Sequence, residues 1–228
     1  MFDILFAYIF LIYGNEYGCK MIKKIDILGI QLDNYTVREA IMRVEAWYDN
    51  NMLNVIEMVS MQMLTESESD PVLKEVISSL DLAVIGEKGI LQAAGVDTMQ
   101  RIRETEENDF SDEFAEKLGI SPQAVSKWEF SDEFLKRVER NRKSVFIIGE
   151  TQGAVDEFTQ ELREEYPKLV LAGAAATENC VGDLEGVINE MNAATPDVII
   201  SIIPSPGQEH FLVEHRDKIN ANLWYGIG

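Results

Sequence analysis

The amino-acid sequence predicts an α/β fold with a mostly parallel sheet and helices on both of its faces. Two observations carry this prediction. Short apolar runs of strand length alternate with longer runs whose apolar residues recur at helical spacing. Several short runs, such as SVFIIG at 144–149, are apolar throughout, which is typical of strands buried on both faces. Strands that alternate with helices along a chain favour parallel pairing.

The first half of the predicted domain contains three strands and two helices. The strands are the runs KKIDILGIQL, NVIEMVS and DLAVIG. The first helix, TVREAIMRVEAWYDN, begins with a capping box, because Thr36 occupies the N-cap position and Glu39 follows three residues later. The second helix, DPVLKEVISSL, has Asp70 at the N-cap and Pro71 in the first turn, where a missing N–H group is harmless.

The second half repeats this alternation with four strands and three helices. The strands are SVFIIG, KLVLAG, DVIISII and NLWYGI. The first helix runs from the turn GETQG to Glu165, and its apolar ladder is formed by Ala154, Phe158, Leu162 and Tyr166. The other two helices are DLEGVINEMNAA and the segment around GQEHFLVEHRDKI.

Composition restricts the partners that the protein can have. With 228 residues and 46% hydrophobic residues, the chain can bury one sizeable core. Its formal net charge of -20 repels nucleic acid phosphates unless a local patch reverses the sign. Two cysteines, Cys19 and Cys180, cannot form a disulfide framework and favour a reducing, cytoplasmic location. His210 and His215 lack the spacing of a zinc pair, so we expect no metal site.

The first residues form an apolar run, MFDILFAYIFLIYG, interrupted only by Asp3. This run is shorter than the roughly 20 apolar residues of a membrane-spanning helix. It also lacks the basic start and the cleavage site of a signal peptide. Because the α/β pattern begins after Met21, we interpret residues 1–21 as a leader outside the fold, with an interfacial membrane anchor as the alternative. The predicted domain is 22–228.

One segment departs from the α/β pattern. The residues from Arg101 to Glu129 resemble the first three helices of the Xre/Cro-type helix-turn-helix, with AEKLGIS as the second helix and turn and SPQAVSKWE as the recognition helix. The resemblance implies that Gln123, Ala124 and Lys127 would face DNA. A DNA-binding helix-turn-helix protein is therefore one hypothesis.

Charge and repetition argue against that hypothesis. Between Arg101 and Glu133 there are four basic and ten acidic residues, the reverse of what a phosphate-binding segment needs. The pentapeptide FSDEF occurs twice, at 110–114 and 130–134. We interpret this as a helical insert at about 110–131 in a surface connection, where extra residues are tolerated. Nucleic acid is not an expected partner.

Outside the insert, three blocks resemble the WecB/TagA/CpsF glycosyltransferases of family 26. They are IDILGIQLDNYTVREAI, SVFIIGETQGAVDEFTQELREEYPKLVLAG and INEMNAATPDVIISIIPSPGQEHFL. The resemblance spans roughly 22–228 and implies a Rossmann-like fold. It also implies transfer of N-acetylmannosamine, or a related N-acetylhexosamine, from a UDP-sugar to a lipid-linked acceptor in teichoic acid or other cell-envelope polysaccharide synthesis. No cofactor is implied, and the enzyme would work at the inner face of the membrane.

Two short segments are candidates for binding the donor. The turn GETQG, from Gly149 to Gly153, follows a strand and opens a helix. The free N–H groups at the start of that helix favour binding of a diphosphate. A tight turn without a ligand is the alternative. Gln208 and Glu209 match the family's Gln-Glu pair and follow the strand DVIISII, where ligands bind in open parallel sheets. Helix capping by Glu209 is the alternative. Self-association into a homo-oligomer is left open.

The catalytic positions differ from those that the resemblance implies. The family's proposed base is an aspartate, and Gly86 stands at that place, with the carboxylate of Glu87 next to it. The family's Thr-x-Asn reads Val-Ser-Met at 59–61, and its C-terminal appendage has no counterpart. Two hypotheses follow: a transferase that uses Glu87 as a relocated base, and a catalytically silent member that acts as a binding or regulatory subunit.

Overall fold

The computed structural model describes residues 24–87, 90, 127–179 and 184–228. Eight strands and seven helices occur in these ranges. The strands are β1 Lys24–Ile27, β2 Ile30–Asp33, β3 Asn54–Val59, β4 Leu82–Ile85, β5 Ser144–Gly149, β6 Val170–Ala176, β7 Val198–Ser201 and β8 Leu223–Gly226. The helices are α1 Val37–Glu45, α2 Met61–Glu66, α3 Pro71–Ser79, α4 Lys127–Arg140, α5 Gln152–Glu165, α6 Glu185–Ala194 and α7 Gly207–His215.

The strands form one sheet in the order β1-β2-β4-β3-β8-β7-β5-β6. β1 and β2 pair antiparallel, and every other pair is parallel. Helices cover both faces, which we call the α4 side, covered by α1, α4 and α5, and the α7 side, covered by α2, α3, α6 and α7. The predicted Rossmann-like α/β class is confirmed.

Strand alternation explains the two faces. In β3, Ile56 and Met58 belong to the core on the α4 side, whereas Val55 and Val59 belong to the core on the α7 side. Side chains of a strand point alternately to opposite faces, so an apolar run fills both cores at once. The same alternation places the side chain of Glu57 on the α7 side.

Both predicted helix starts in the first half are confirmed. The hydroxyl of Thr36 accepts from the N–H of Glu39 at 3.2 Å, and the Glu39 carboxylate accepts from the N–H of Thr36 at 3.0 Å. The carboxylate of Asp70 accepts from the N–H groups of Val72 and Leu73. Side-chain acceptors thus satisfy N–H groups that have no partner inside the helix.

The first predicted strand is wrong in one respect, because KKIDILGIQL forms a hairpin and not a single strand. Leu28 and Gly29 adopt φ angles of 53° and 79° and reverse the chain between β1 and β2. The carboxylate of Asp26 accepts from the N–H of Gly29 at 3.2 Å and stabilises this turn. The hairpin places the only antiparallel strand pair at one edge of the described sheet.

Helix α4 carries the second FSDEF pentapeptide into the core. Phe130 and Phe134 are fully buried, and their rings contact that of Tyr225 with centroid distances of 5.5 and 4.9 Å. The hydroxyls of Ser131 and Tyr225 are 2.7 Å apart. Residues 127–131 of the predicted insert therefore belong to a continuous helix packed on β8.

The other predictions for this segment and for the leader lie outside the described residues. They concern residues 110–126, with Gln123 and Ala124 among them, the leader 1–21, and Cys180. The insertion itself stays a prediction. Within the described ranges, no helix has the length and apolar character that crossing a bilayer requires.

Candidate functional site

A cavity of about 230 Å³ lies at the carboxyl ends of the central strands. Its walls come from the segments that follow β3, β4, β7 and β8, together with the first residue of α4. Crevices outside the carboxyl ends of parallel strands are the usual ligand sites of open α/β sheets. The lining residues are Met58, Val59, Ser60, Gln62, Met63, Gly86, Glu87, Lys127, Pro204, Ser205 and Gly228.

Gly86 and Glu87 both line this cavity, and the catalytic role of Glu87 stays a prediction. The N–H of Gly86 donates to the carbonyl oxygen of Val59 at 3.0 Å, which holds the end of β4 against β3. Glu87 is exposed, and its carboxylate accepts from the N–H of Met61, the first residue of α2, at 3.4 Å. The carboxylate available in the cavity therefore belongs to Glu87, while Gly86 contributes only backbone.

Lys127 lines the same cavity from the start of α4. It is exposed at the rim, yet neighbouring protein atoms partly desolvate its ammonium group. This desolvation lowers the pKa of Lys127, and the negative charge of Glu87 opposes the shift. The helix-turn-helix resemblance implies a DNA-facing Lys127, an interpretation that the local charge argues against. Lys127 is thus a cavity residue that the sequence did not predict.

Gly149 and Gly153 have different surroundings, and neither lines the cavity. Gly149 ends β5 in a crowded place, where an added Cβ would lie 2.6 Å from Val155 Cγ2 and 2.9 Å from Ile202 Cγ1. Close packing between β5, α5 and the segment after β7 thus accounts for this glycine. Gly153 is exposed in the first turn of α5, and an added Cβ would meet no atom within 4 Å.

The N-terminus of α5 already holds acceptors from the protein. The hydroxyl of Thr151 accepts from the N–H of Ala154 at 3.3 Å, and the carboxylate of Glu178 accepts from the N–H of Gln152. A carboxylate at a helix N-terminus takes the place that suits an anionic ligand. Diphosphate binding at this turn stays a prediction, and Glu178 would compete with it.

Gln208 and Glu209 lie in the first turn of α7 and are only 1% and 0% exposed. The amide of Gln208 donates to Glu209 Oε1 at 3.3 Å. Neither residue lines the cavity, whereas Pro204 and Ser205 of the preceding turn do. The predicted contact of Gln208 and Glu209 with substrate stays a prediction, and both residues directly follow the turn that forms part of the cavity wall.

Glu57 is a further residue near the site that the sequence analysis missed. It is 0% exposed in β3, between Ala83 of β4 and Gly226 of β8. Burial raises the pKa of Glu57 well above its usual range, and the carboxyl of Glu209 adds to the increase. One signal could have identified it, since Glu57 is the only charged residue in the apolar run NVIEMVS.

The histidines take part in ordinary packing. His210 Nε2 lies 3.0 Å from the carboxylate of Asp70 and links α7 to the start of α3. The ring of His215 packs edge-on against Phe211 with a centroid distance of 4.9 Å. In the ranges that the structure describes, no group of three or more His, Cys, Asp or Glu side chains could hold a metal ion.

Comparison with known proteins identifies the family of this chain. The model of the glycosyl transferase WecG/TagA/CpsF family matches residues 114–228. Relatives named N-acetylglucosaminyldiphosphoundecaprenol N-acetyl-beta-D-mannosaminyltransferase occur in Staphylococcus aureus strains NCTC 8325 and COL; each is 23% identical over 211 residues, or 90% of this chain and 73% of the relative. The relative from strain MRSA252 is 22% identical over the same shares. The chain belongs to the WecG/TagA/CpsF glycosyltransferase family.

Proposed function

We propose that the protein transfers an N-acetylhexosamine of the N-acetylmannosamine type from a UDP-sugar to a lipid-linked acceptor in cell-envelope polysaccharide synthesis. The names of the relatives support the reaction class. The single structural observation that carries the proposal is the cavity at the carboxyl ends of the strands, where the carboxylate of Glu87 and the ammonium of Lys127 both line the wall. A carboxylate can act as a general base and a cation can stabilise a departing diphosphate, so both groups suit glycosyl transfer.

In this mechanism Glu87 is the general base. It removes the proton of the acceptor hydroxyl as that oxygen bonds to the anomeric carbon of the sugar. The bond between the anomeric carbon and the diphosphate oxygen breaks, and UDP departs with the electron pair. Lys127 offsets the charge that grows on the diphosphate. Ser60 and Gln62, which line the same wall, would hydrogen-bond sugar hydroxyls.

The size of the cavity limits which part of the donor it encloses. Pockets for whole drug-sized ligands have volumes of about 300–1,000 Å³, and this cavity has about 230 Å³. We therefore assign the cavity to the sugar and the adjoining phosphate, with the rest of the donor outside it. Because the acceptor is lipid-linked, the proposal includes peripheral association with the inner face of the membrane.

A catalytically silent member of the family is the second candidate. The observation that favours it is the backbone-only contribution of Gly86, together with the hydrogen bond that ties Glu87 to the N–H of Met61. Such a protein would bind a UDP-sugar and act as a binding or regulatory subunit without transfer.

Ligand-induced stabilisation and turnover together distinguish the candidates. UDP-N-acetylmannosamine at about 100 times its dissociation constant should stabilise the fold by about 2.7 kcal/mol, measured as a rise in the unfolding temperature. UDP release in the presence of the lipid-linked acceptor then identifies a transferase. Stabilisation without UDP release identifies the silent member. Absence of stabilisation with UDP and with any UDP-N-acetylhexosamine would contradict both.

A further inference from the structure

Unpartnered oxygen atoms collect beneath the turn that joins β7 to α7. Both carboxyl oxygens of Glu57, Oε1 of Gln208, Oε2 of Glu209 and the hydroxyl of Ser205 are buried there, and none has a hydrogen-bond partner of standard geometry. Buried polar atoms are normally paired, and an unpaired one costs about 1–3 kcal/mol. Ionised carboxylates can only accept hydrogen bonds, so the two donors of this cluster, the Ser205 hydroxyl and the Gln208 amide, are too few for its acceptor oxygens.

The backbone of β8 brings the cluster together. Gly226 pairs with Glu57 in the sheet. A Cβ added to Gly226 would lie 2.7 Å from the amide nitrogen and oxygen of Gln208, and 2.9 Å from Cγ of Glu57. The side chains of Glu57 and Gln208 therefore lie directly over a glycine, and the absent side chain lets the first turn of α7 approach the sheet.

The carboxyls of Glu57 and Glu209 interact with each other in this enclosed place. Two buried carboxylates in contact cannot both ionise at low cost. Burial raises the pKa of both residues. The other charged group that acts on Glu209 is His210, which is tied to Asp70. No charged group on β4, β8, α2 or α3 acts on Glu57 among the described residues.

We propose that Glu57 is a positioning residue: its carboxyl shares one proton with the carboxyl of Glu209, and this pair holds the turn 204–208 so that Pro204 and Ser205 form part of the cavity wall. A shared O–H group supplies a further donor to this acceptor-rich cluster. The inference rests on the proposed function only in assigning the cavity to a UDP-sugar. The proton pair itself can be tested without any ligand.

Three variants separate a shared proton from simple packing. Glu57→Gln keeps the shape and supplies N–H donors that do not titrate. Glu57→Val removes the carboxyl and suits a buried strand. Glu68→Gln is the matched control, because it removes the same charge from an exposed position.

The first measurement is thermal unfolding between about pH 5 and about pH 9 without ligand. A carboxyl whose pKa is raised by folding binds more protons in the folded state, so stability falls as pH rises from its unfolded pKa to its folded pKa. The wild-type protein and Glu68→Gln should lose stability relative to Glu57→Gln across this range. Parallel curves for all three would overturn the shared proton. Stabilisation of the wild type, but not of Glu57→Gln, by Mg²⁺ or Ca²⁺ would overturn it as well, since it would indicate a bound cation.

The second measurement tests positioning through the affinity for UDP over the same pH range. Wild-type affinity should fall as the pair loses its proton, Glu57→Gln should bind without this pH dependence, and Glu57→Val should bind at least about tenfold more weakly, a loss of about 1.4 kcal/mol. Equal binding by Glu57→Val and the wild type would overturn the positioning role.

Failure of the proposed function gives a different result, namely no UDP binding by the wild type at any pH. Hydrogen exchange of the amides of 207–212 then decides the positioning role. Faster exchange in Glu57→Val than in the wild type and Glu57→Gln supports it, and equal rates in all three overturn it.

Discussion

The ammonium of Lys127 lies within Coulombic range of the carboxylate of Glu87, and both line the cavity at the carboxyl ends of the central strands. Lys127 begins α4 on one side of the sheet, while Glu87 follows β4. The cavity therefore combines a proton acceptor with a cation that suits a diphosphate.

Lys127→Ala should weaken UDP binding by about 1.5 kcal/mol, or roughly tenfold, because a charge-assisted hydrogen bond to phosphate is lost. Isothermal titration calorimetry measures the change. Lys136→Ala is the control, since Lys136 lies on the same helix but is exposed and paired with Asp132 at 2.6 Å. Equal losses in both variants would show that general charge, and not this cavity, attracts UDP.

Glu87→Gln should lower the rate of sugar transfer by about 10² to 10⁴ while leaving UDP affinity nearly unchanged, because general base catalysis acts on the transition state. Initial rates of UDP release with the lipid-linked acceptor measure this. An unchanged rate would exclude Glu87 as the base. No measurable rate in the wild type, with UDP-sugar binding intact, would identify the silent member.

Gly86→Asp introduces a carboxyl into the cavity at the place where the family resemblance implies one. An added Cβ would lie 3.0 Å from the carbonyl oxygen of Val59, so β3 and β4 must separate slightly and some stability is lost. We expect this substitution to restore transfer activity to Glu87→Gln. Circular dichroism of the double variant checks the fold, and a folded but inactive double variant would contradict the prediction.

Gly226→Ala should destabilise the protein by about 1–3 kcal/mol, because the new methyl group meets Gln208 and Glu57. Gly153→Ala is the matched control: an added Cβ there meets no atom within 4 Å, so a gain of about 0.4–1 kcal/mol is expected. Urea unfolding measures both. The packing of α7 on β8 described above would be contradicted by a neutral Gly226→Ala.

Phe130→Ala should cost about 3–5 kcal/mol of unfolding free energy, because Phe130 is fully buried against Phe134 and Tyr225. Trp128 lies two residues earlier on the same helix and is 73% exposed, so Trp128→Ala should stay within about 0.5 kcal/mol of the wild type. Comparable losses in the two variants would mean that the start of α4 is packed differently. The expected contrast would establish that the second FSDEF belongs to the core.

The fold class was predictable because burial on both faces leaves a local signal. The run SVFIIG at 144–149 is apolar in full, and its residues fill the cores on both sides of the sheet. The hairpin at Leu28 and Gly29 was not predictable to the same degree. Leucine rarely adopts a positive φ angle, so the residues around the turn do not indicate a break.

The site was predictable only in part, because its wall depends on strand order. Glu87 was identified from the family resemblance, because it adjoins Gly86 at the place of the family's aspartate, and it lines the cavity, while its catalytic role stays a prediction. Lys127 lies in a segment whose sequence is typical of a helix-turn-helix. No local pattern shows that this residue of α4 lies beside the end of β4. Gln208 and Glu209 have the motif expected of ligand-binding residues, yet both are buried. Burial depends on contacts with β3 and β8, which lie far away along the chain.

The position of β8 has a consequence for synthesis on the ribosome. This strand follows all the others along the chain, yet it lies between β3 and β7 and joins the group β1-β2-β4-β3 to the group β7-β5-β6. During translation the inner edge of each group, β3 or β7, stays unpaired until residues 223–226 emerge. Long-range pairing of this kind is slow and exposes strand edges to aggregation. The nascent chain therefore becomes one cooperative unit only when its central strand arrives.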